Sequence, residues 1–181
     1  MKIIAHLPNL LSFLRIVLSP IFAVLFLSSS YDDKLLGVVI FTIAALTDTC
    51  DGYLARRWRV VTAYGAFLDP LADKLLIITG LLCLLWQGAV AWWLVAAIVG
   101  RDLMVTWLRT NAQRRGVVFT TSWHAKIKTV AQFVALYLGF AAALWPSAML
   151  EHGVALVMPF VAVITLYTGL EYGLMYWRAE K

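Results

Sequence analysis

Apolar residues fill six stretches of this chain, and the charged residues gather mostly between them. The runs are Asn9 to Ser29, Leu35 to Leu54, Ala66 to Trp86, Ala91 to Thr110, Ile127 to Leu144 and Val154 to Met175. Roughly 20 apolar residues are enough for a helix to cross a bilayer. Polar and apolar positions do not alternate with a period of two, so the pattern fits a helical bundle and not a β-barrel. Charge interrupts the fourth and fifth runs, which softens their boundaries. No internal repeat or low-complexity segment breaks the order. Ahead of the first run, Met1 to Leu7 mixes Lys2 and His6 with Ile3, Ile4 and Ala5. That segment reads either as a short interfacial amphipathic helix or as a frayed terminus. The fold class expected is an all-α integral membrane protein with six transmembrane helices, in a single domain over residues 1–181.

Composition agrees: 62% of the 181 residues are hydrophobic and only 14% are charged, where a soluble domain carries about a quarter. The first run is too long for a signal peptide, contains Arg15 and lacks a small-x-small cleavage pattern, so it is expected to be retained. Cys50 and Cys83 lie inside apolar runs without metal-type spacing, so neither a disulfide framework nor a zinc site is expected. Basic residues are unevenly placed. Arg56, Arg57, Arg59, Arg109, Arg114, Arg115, Lys126, Lys128, Arg178, Lys181 and Lys2 share one side of a six-span arrangement. The other side holds Lys34 with Asp32, Asp33 and Glu151. The positive-inside bias puts both termini and the connection after the second run at the cytoplasmic face.

Chemistry concentrates around that connection. Asp48, Asp51, Asp69 and Asp73 fall at the end of one apolar run and the start of the next. An ionised carboxylate at membrane depth is costly unless it is neutralised. Asp48 and Asp51 are three apart and Asp69 and Asp73 four apart, so each pair shares a helix face. Two such faces make a cage for divalent cations, and hard oxygen ligands favour Mg²⁺ or Mn²⁺ over zinc. Two ions would offset four carboxylates, the usual arrangement for displacement at phosphorus. Gly52 leaves room for a ligand beside the helix, and Arg56, a turn beyond Asp51, suits a diphosphate.

The full spacing Asp48, Asp51, Gly52, Ala55, Arg56, Gly65, Asp69, Asp73 resembles the signature of the CDP-alcohol phosphatidyltransferase family. That signature reads Asp-x2-Asp-Gly-x2-Ala-Arg, eight residues, then Gly-x3-Asp-x3-Asp, and every fixed position is met. The resemblance covers nearly the whole chain. It implies that Asp48, Asp51 and Asp69 are metal ligands, and that Asp73 is both a ligand and the catalytic base. It implies a CDP-linked lipid held by Gly52, Ala55, Arg56 and Gly65, and a homodimer in a membrane. Pro8, Asn9, Ser12 and Arg15 are similar to the family's amino-terminal Pro-Asn-x2-Thr-x2-Arg, with Ser12 keeping the hydroxyl. Asn9 and Ser12 could therefore reach the nucleotide, although Asn9 could equally cap a helix.

Acceptor choice should lie outside the shared motif. Arg101 and Asp102 interrupt the fourth run, and neither is cheap there. Arg101 with Lys126 and Lys128 makes a cationic pocket suited to an acceptor that already carries phosphate, such as glycerol 3-phosphate. The run from Ser122 to Gln132 resembles the phosphatidylglycerophosphate synthase branch of the family, Ser-Trp-x-Gly-Lys-x-Lys-Thr-x-x-Gln, with Ala125 in place of Gly. Asp102 stands where that branch usually has Glu. Arg-Asp also occurs in the cardiolipin synthase branch, so phosphatidylglycerol stays open as acceptor, as does an inositol phosphate. The reaction expected is CDP-diacylglycerol plus glycerol 3-phosphate giving phosphatidylglycerophosphate and CMP. The setting expected is a bacterial inner membrane, with the site facing the cytoplasm and no nucleic-acid partner. Two other classes also use membrane aspartates. An ion-coupled transporter usually has internal repeats and a midplane site. A Mg²⁺-dependent prenyltransferase needs two distant acidic motifs in a longer chain.

Overall fold

A computed structural model of the chain describes residues 2–58, 63–114 and 123–179, with side chains described for 10–47, 71–72, 74–112, 123 and 127–177. The described residues form six α-helices and no strand: α1 (Lys2–Phe26), α2 (Tyr31–Trp58), α3 (Ala63–Trp86), α4 (Trp92–Arg114), α5 (Trp123–Leu144) and α6 (Ala148–Ala179). Each apolar run of the sequence falls on one of them. Among the described residues, two helices contain a stretch long and apolar enough to cross a membrane, Ile127–Leu144 and Ala148–Trp177, and shorter apolar stretches cover Leu10–Phe26 and Lys74–Trp86. Arg101, Asp102 and Arg109 keep α4 below that measure.

The beginning of the chain departs from expectation. Residues 2–7 form neither a separate interfacial helix nor a frayed end; α1 is continuous from Lys2. Ile4, Leu7, Leu11 and Leu14 recur at helical spacing, so the apolar stripe of the first run already extends into this segment.

The chain divides into two compact units, residues 1–83 and 84–181. In the first, α1 packs on α2 around Phe22, Phe26, Phe41 and Ala44, all fully buried. The Phe22 ring lies 5.3 Å from Phe26 and 5.0 Å from Phe41, centroid to centroid. Gly37 lets the two backbones approach closely. A Cβ at that position would stand 3.1 Å from the Phe26 nitrogen and 3.4 Å from the Phe22 carbonyl oxygen. The turn into α2 is capped from its own sequence: Ser30 Oγ accepts from the Asp33 amide and Asp33 accepts from Ser28 Oγ. A side-chain oxygen before a helix satisfies an amide that the helix cannot.

The inner face of α1 is polar in its middle turns and aromatic toward its end. Ser12, Arg15 and Ser19 are fully buried, whereas Leu10, Phe13, Leu14, Val17, Ile21 and Val24 are exposed. Polar residues inside and a continuous apolar stripe outside suit a helix whose outer face meets lipid.

In the second unit, α6 packs against both α4 and α5. Ile98 and Val105 of α4, Leu136 and Phe140 of α5, and Met158 and Val161 of α6 make its interior. The end of α3 closes in a Schellman turn. The Ala89 amide donates to the Leu84 carbonyl, the Gly88 amide donates to the Leu85 carbonyl, and Gly88 has φ of 73°. Glycine takes that left-handed conformation without a Cβ penalty. Ser147 caps α6, its Oγ accepting from the Leu150 amide at 3.3 Å. Leu156, Phe160, Val163, Tyr167 and Leu170 of α6 stay exposed, so this helix is apolar on its outer face as well as its inner one.

Candidate active site

The acidic motif falls on two consecutive helix ends. Asp48, Asp51, Gly52, Ala55 and Arg56 lie in the last turns of α2, and Gly65, Asp69 and Asp73 in the first turns of α3. Both segments belong to the first unit and are joined by residues 59–62. At 1.5 Å per residue, Asp51 and Asp69 lie about 10 and 9 Å along their helices from that connection, and Asp48 and Asp73 about 15 Å. The two pairs are thus set at matching depths from one short link. Helical periodicity keeps the members of each pair on a common face, as the spacing predicts. The side chains of Asn9, Asp48, Asp51, Ala55, Arg56, Asp69 and Asp73, and whatever surrounds Gly52 and Gly65, lie outside the described residues. Ser12 is described: it is fully buried on the same face of α1 as Arg15.

A second polar cluster is built entirely within the other unit. Arg101 and Asp102 come from α4, Lys128 and Gln132 from α5, and Thr168 from α6. Lys128 Nζ donates to both carboxylate oxygens of Asp102 at 2.6 Å. Arg101 donates to Asp102 through one terminal nitrogen at 3.0 Å and to Thr168 Oγ1 through the other at 2.7 Å. Gln132 Nε2 reaches Asp102 Oδ2 at 3.3 Å. Arg101, Lys128, Gln132 and Thr168 are all buried. The Arg101 and Arg109 guanidinium carbons stand 5.9 and 5.7 Å from the centroid of the Tyr172 ring, within reach of a cation–π attraction.

Two cations, Arg101 and Lys128, share the Asp102 carboxylate in a largely dry setting. Three buried polar atoms there carry no hydrogen bond: Arg101 Nε, Gln132 Oε1 and Thr165 Oγ1. A buried donor or acceptor left unpaired is costly, and such atoms mark places where a ligand or ordered water belongs. The cluster can therefore attract an anion and offer it both donors and acceptors.

Two of the three cations expected to bind acceptor phosphate, Arg101 and Lys128, are brought together here, with Asp102 between them. Lys126 lies in the first turn of α5, its side chain outside the described residues. Sequence reasoning did not anticipate that Asp102 joins the two cations, nor that Thr168, Gly169 and Tyr172 of α6 take part. A signal was present: Thr165, Thr168, Gly169 and Tyr172 follow helical spacing inside a run whose one charged residue is Glu171.

The family model for CDP-alcohol phosphatidyltransferases matches residues 5–170. The chain belongs to this family. Its match takes in both aspartate pairs and the Arg101–Lys128 cluster, and it removes the transporter and prenyltransferase readings. Among curated relatives, a probable phosphatidylglycerophosphate synthase of Mycobacterium tuberculosis strain H37Rv is 40% identical over 172 residues, covering 93% of this chain and 80% of that protein. A CDP-diacylglycerol–glycerol-3-phosphate 3-phosphatidyltransferase of Salmonella typhimurium is 38% identical, covering 92% of each chain. The protein of that name from Escherichia coli K12 is 36% identical, again with 92% of each chain covered. These CDP-alcohol phosphatidyltransferases align with this chain across nearly its whole length, so the likeness is not confined to the aspartate signature.

Proposed function

We propose that this CDP-alcohol phosphatidyltransferase moves the phosphatidyl group of CDP-diacylglycerol to glycerol 3-phosphate, giving phosphatidylglycerophosphate and CMP. The names of relatives matched over 92% of both lengths support that acceptor. The observation that carries it is the buried pairing of two cations, Arg101 and Lys128, around Asp102. Phosphatidylglycerol also carries a phosphate, but as a monoanionic diester; the dianionic monoester of glycerol 3-phosphate draws more from such a cluster.

Asp48, Asp51, Asp69 and Asp73 form the donor set for two divalent ions, Mg²⁺ or Mn²⁺. An all-carboxylate set at matching depths on two helix ends fits such ions. Bound there, the ions supply electrostatic stabilisation of charge on the diphosphate and on departing CMP. Arg56 adds a planar fork for diphosphate oxygens, Gly52 and Gly65 leave room for the nucleotide, and Asn9 and Ser12 of α1 reach toward it. Arg101, Lys126 and Lys128 hold the acceptor phosphate. Asp73 takes the proton of the acceptor hydroxyl as its oxygen attacks the phosphatidyl phosphorus. The bond from that phosphorus to the CMP oxygen breaks, and CMP leaves as the anion.

Six spans, with both termini and the motif at the cytoplasmic face of a bacterial inner membrane, follow from the distribution of basic residues. The outward apolar faces of α1 and α6 support a lipid setting. Homodimer formation rests on the family resemblance alone.

The test is an acceptor panel. Purified protein with radiolabelled CDP-diacylglycerol and Mg²⁺ or Mn²⁺ is offered glycerol 3-phosphate, phosphatidylglycerol, inositol, inositol phosphate and serine. Product is expected with glycerol 3-phosphate. Turnover with phosphatidylglycerol and none with glycerol 3-phosphate overturns the proposal in favour of a cardiolipin synthase.

A further inference from the structure

The side chain of Arg101 is held in a slot cut by α6. Its terminal nitrogen donates to Thr168 Oγ1 at 2.7 Å. That hydroxyl lies 2.9 Å from the Thr165 carbonyl and 3.1 Å from the Ile164 carbonyl. Its single hydrogen is therefore spent on its own helix, which leaves a fixed lone pair facing Arg101. One residue on, Gly169 makes room for the aliphatic stem. A Cβ at Gly169 would meet Arg101 Cγ at 2.8 Å, Nε at 3.3 Å and Cδ at 3.6 Å. The first of these is shorter than any real contact, and Cγ is too near the backbone to swing aside while the guanidinium stays in place. Beneath the fork lies the Tyr172 ring, 5.9 Å from the guanidinium carbon. Thr168, Gly169 and Tyr172 thus act on one arginine from one face of one helix.

We infer that Thr168 and Gly169 are positioning residues for the acceptor, setting the orientation of the Arg101 fork. This rests on the reading of Arg101 as part of the acceptor-phosphate pocket. Thr168 and Asp102 each take one N–H, from different terminal nitrogens, and each of those nitrogens keeps a second N–H for a phosphate oxygen. Two N–H groups in a fixed plane recognise phosphate as a fork, and a rotated guanidinium presents only a diffuse charge. Neither α6 residue touches substrate; each acts through Arg101.

The experiment uses the full chain and follows KM for glycerol 3-phosphate, KM for CDP-diacylglycerol and kcat. Thr168→Val removes the acceptor oxygen at nearly constant shape, and Thr168→Ser keeps it. Gly169→Ala fills the slot, and Gly173→Ala, with nothing within 4 Å of the added carbon, controls for a change on the same helix. Thr168→Val and Gly169→Ala are expected to raise KM for glycerol 3-phosphate about tenfold, the loss of one charge-assisted contact. KM for the CDP-lipid should stay within about twofold, and Thr168→Ser and Gly173→Ala should resemble the parent protein. In an Arg101→Ala background, Thr168→Val should add nothing, because its effect travels through the arginine. If Gly169→Ala fails to fold, the Val and Ser pair at 168 carries the test alone. A raised acceptor KM in Arg101→Ala with none in Thr168→Val overturns the positioning role and leaves the pocket standing. Additive effects of the two changes overturn it equally. An unchanged acceptor KM in Arg101→Ala itself removes the pocket, and the positioning role falls with it.

Discussion

Lys128 Nζ lies 2.6 Å from both carboxylate oxygens of Asp102, an ion pair joining α5 to α4 across 26 residues of sequence. The same carboxylate receives Arg101 at 3.0 Å, so one aspartate holds two cations that would otherwise repel. Removing a single partner from a buried pair leaves an uncompensated charge, which costs far more than the pair itself is worth. Asp102→Ala is expected to destabilise the folded protein by ~3 kcal/mol, the lower end of the usual range because the carboxylate keeps some exposure. Chemical denaturation in detergent measures it. An unfolding midpoint equal to that of the parent protein would show that the pair contributes nothing to stability.

The aspartate pairs give a prediction about chemistry and not about folding. Asp48→Asn, Asp51→Asn and Asp69→Asn should each abolish CMP release while the protein still elutes as the folded species. Each change removes one charge from a set that must balance two dications. Near-normal turnover by any of the three, across a Mg²⁺ and Mn²⁺ titration, rules out the two-ion site.

The proposed mechanism gives Asp73 a second role, as base. On that reading Asp73→Asn should lose turnover yet retain metal-dependent binding of CDP-diacylglycerol, because three of the four proposed ligands remain. Equilibrium binding of labelled lipid decides the point. Binding lost as completely as turnover would make Asp73 an ordinary ligand.

Arg101→Ala and Lys126→Ala should chiefly weaken glycerol 3-phosphate. Loss of a charge-assisted contact is worth roughly 1.5–3 kcal/mol, about ten- to a hundredfold in apparent affinity. The KM for the CDP-lipid should change much less, and added salt should raise the acceptor KM more than the donor KM. Equal effects on both substrates would place these cations at the donor site.

Packing offers a fifth test, away from the chemistry. Gly37 faces the α1 backbone so closely that an added Cβ would already stand 3.1 Å from the Phe26 nitrogen. A valine there has no room for its branches, and overpacking of this kind costs about 1–3 kcal/mol. Gly37→Val should lower the thermal midpoint in detergent with the KM values of the surviving enzyme unchanged. An unaltered midpoint would mean that α1 and α2 separate freely at this point.

Much of the architecture was legible in the linear pattern because it depends on local physics. Apolar runs located the helices, and periodicity placed Asp48 with Asp51 and Asp69 with Asp73 on common faces. The caps at Ser30, Ser147 and Gly88 belong to the structure's account and not to the sequence reading, although their hydrogen bonds span only a few residues. The start of α1 was misjudged because charge at Lys2 and His6 masked an apolar stripe already running through Ile4 and Leu7.

The cation cluster was legible only in part. Arg101 and Lys128 stood out because charge is costly inside an apolar run. Their shared counter-ion did not, and neither did the Thr168 acceptor, 67 residues from Arg101. Such partners are selected by which face of one helix turns toward another. In a soluble helix the apolar stripe announces that face, but α6 is apolar both where it is buried, at Met158 and Val161, and where it is exposed, at Phe160 and Val163. With lipid outside and protein inside, hydrophobicity no longer distinguishes the two directions. Helix positions and the aspartate spacing were therefore determined by sequence alone. The pairing of Asp102 with Lys128, and the Gly169 slot that seats Arg101, were decided by the rotation of α4, α5 and α6 about their own axes, which only packing sets.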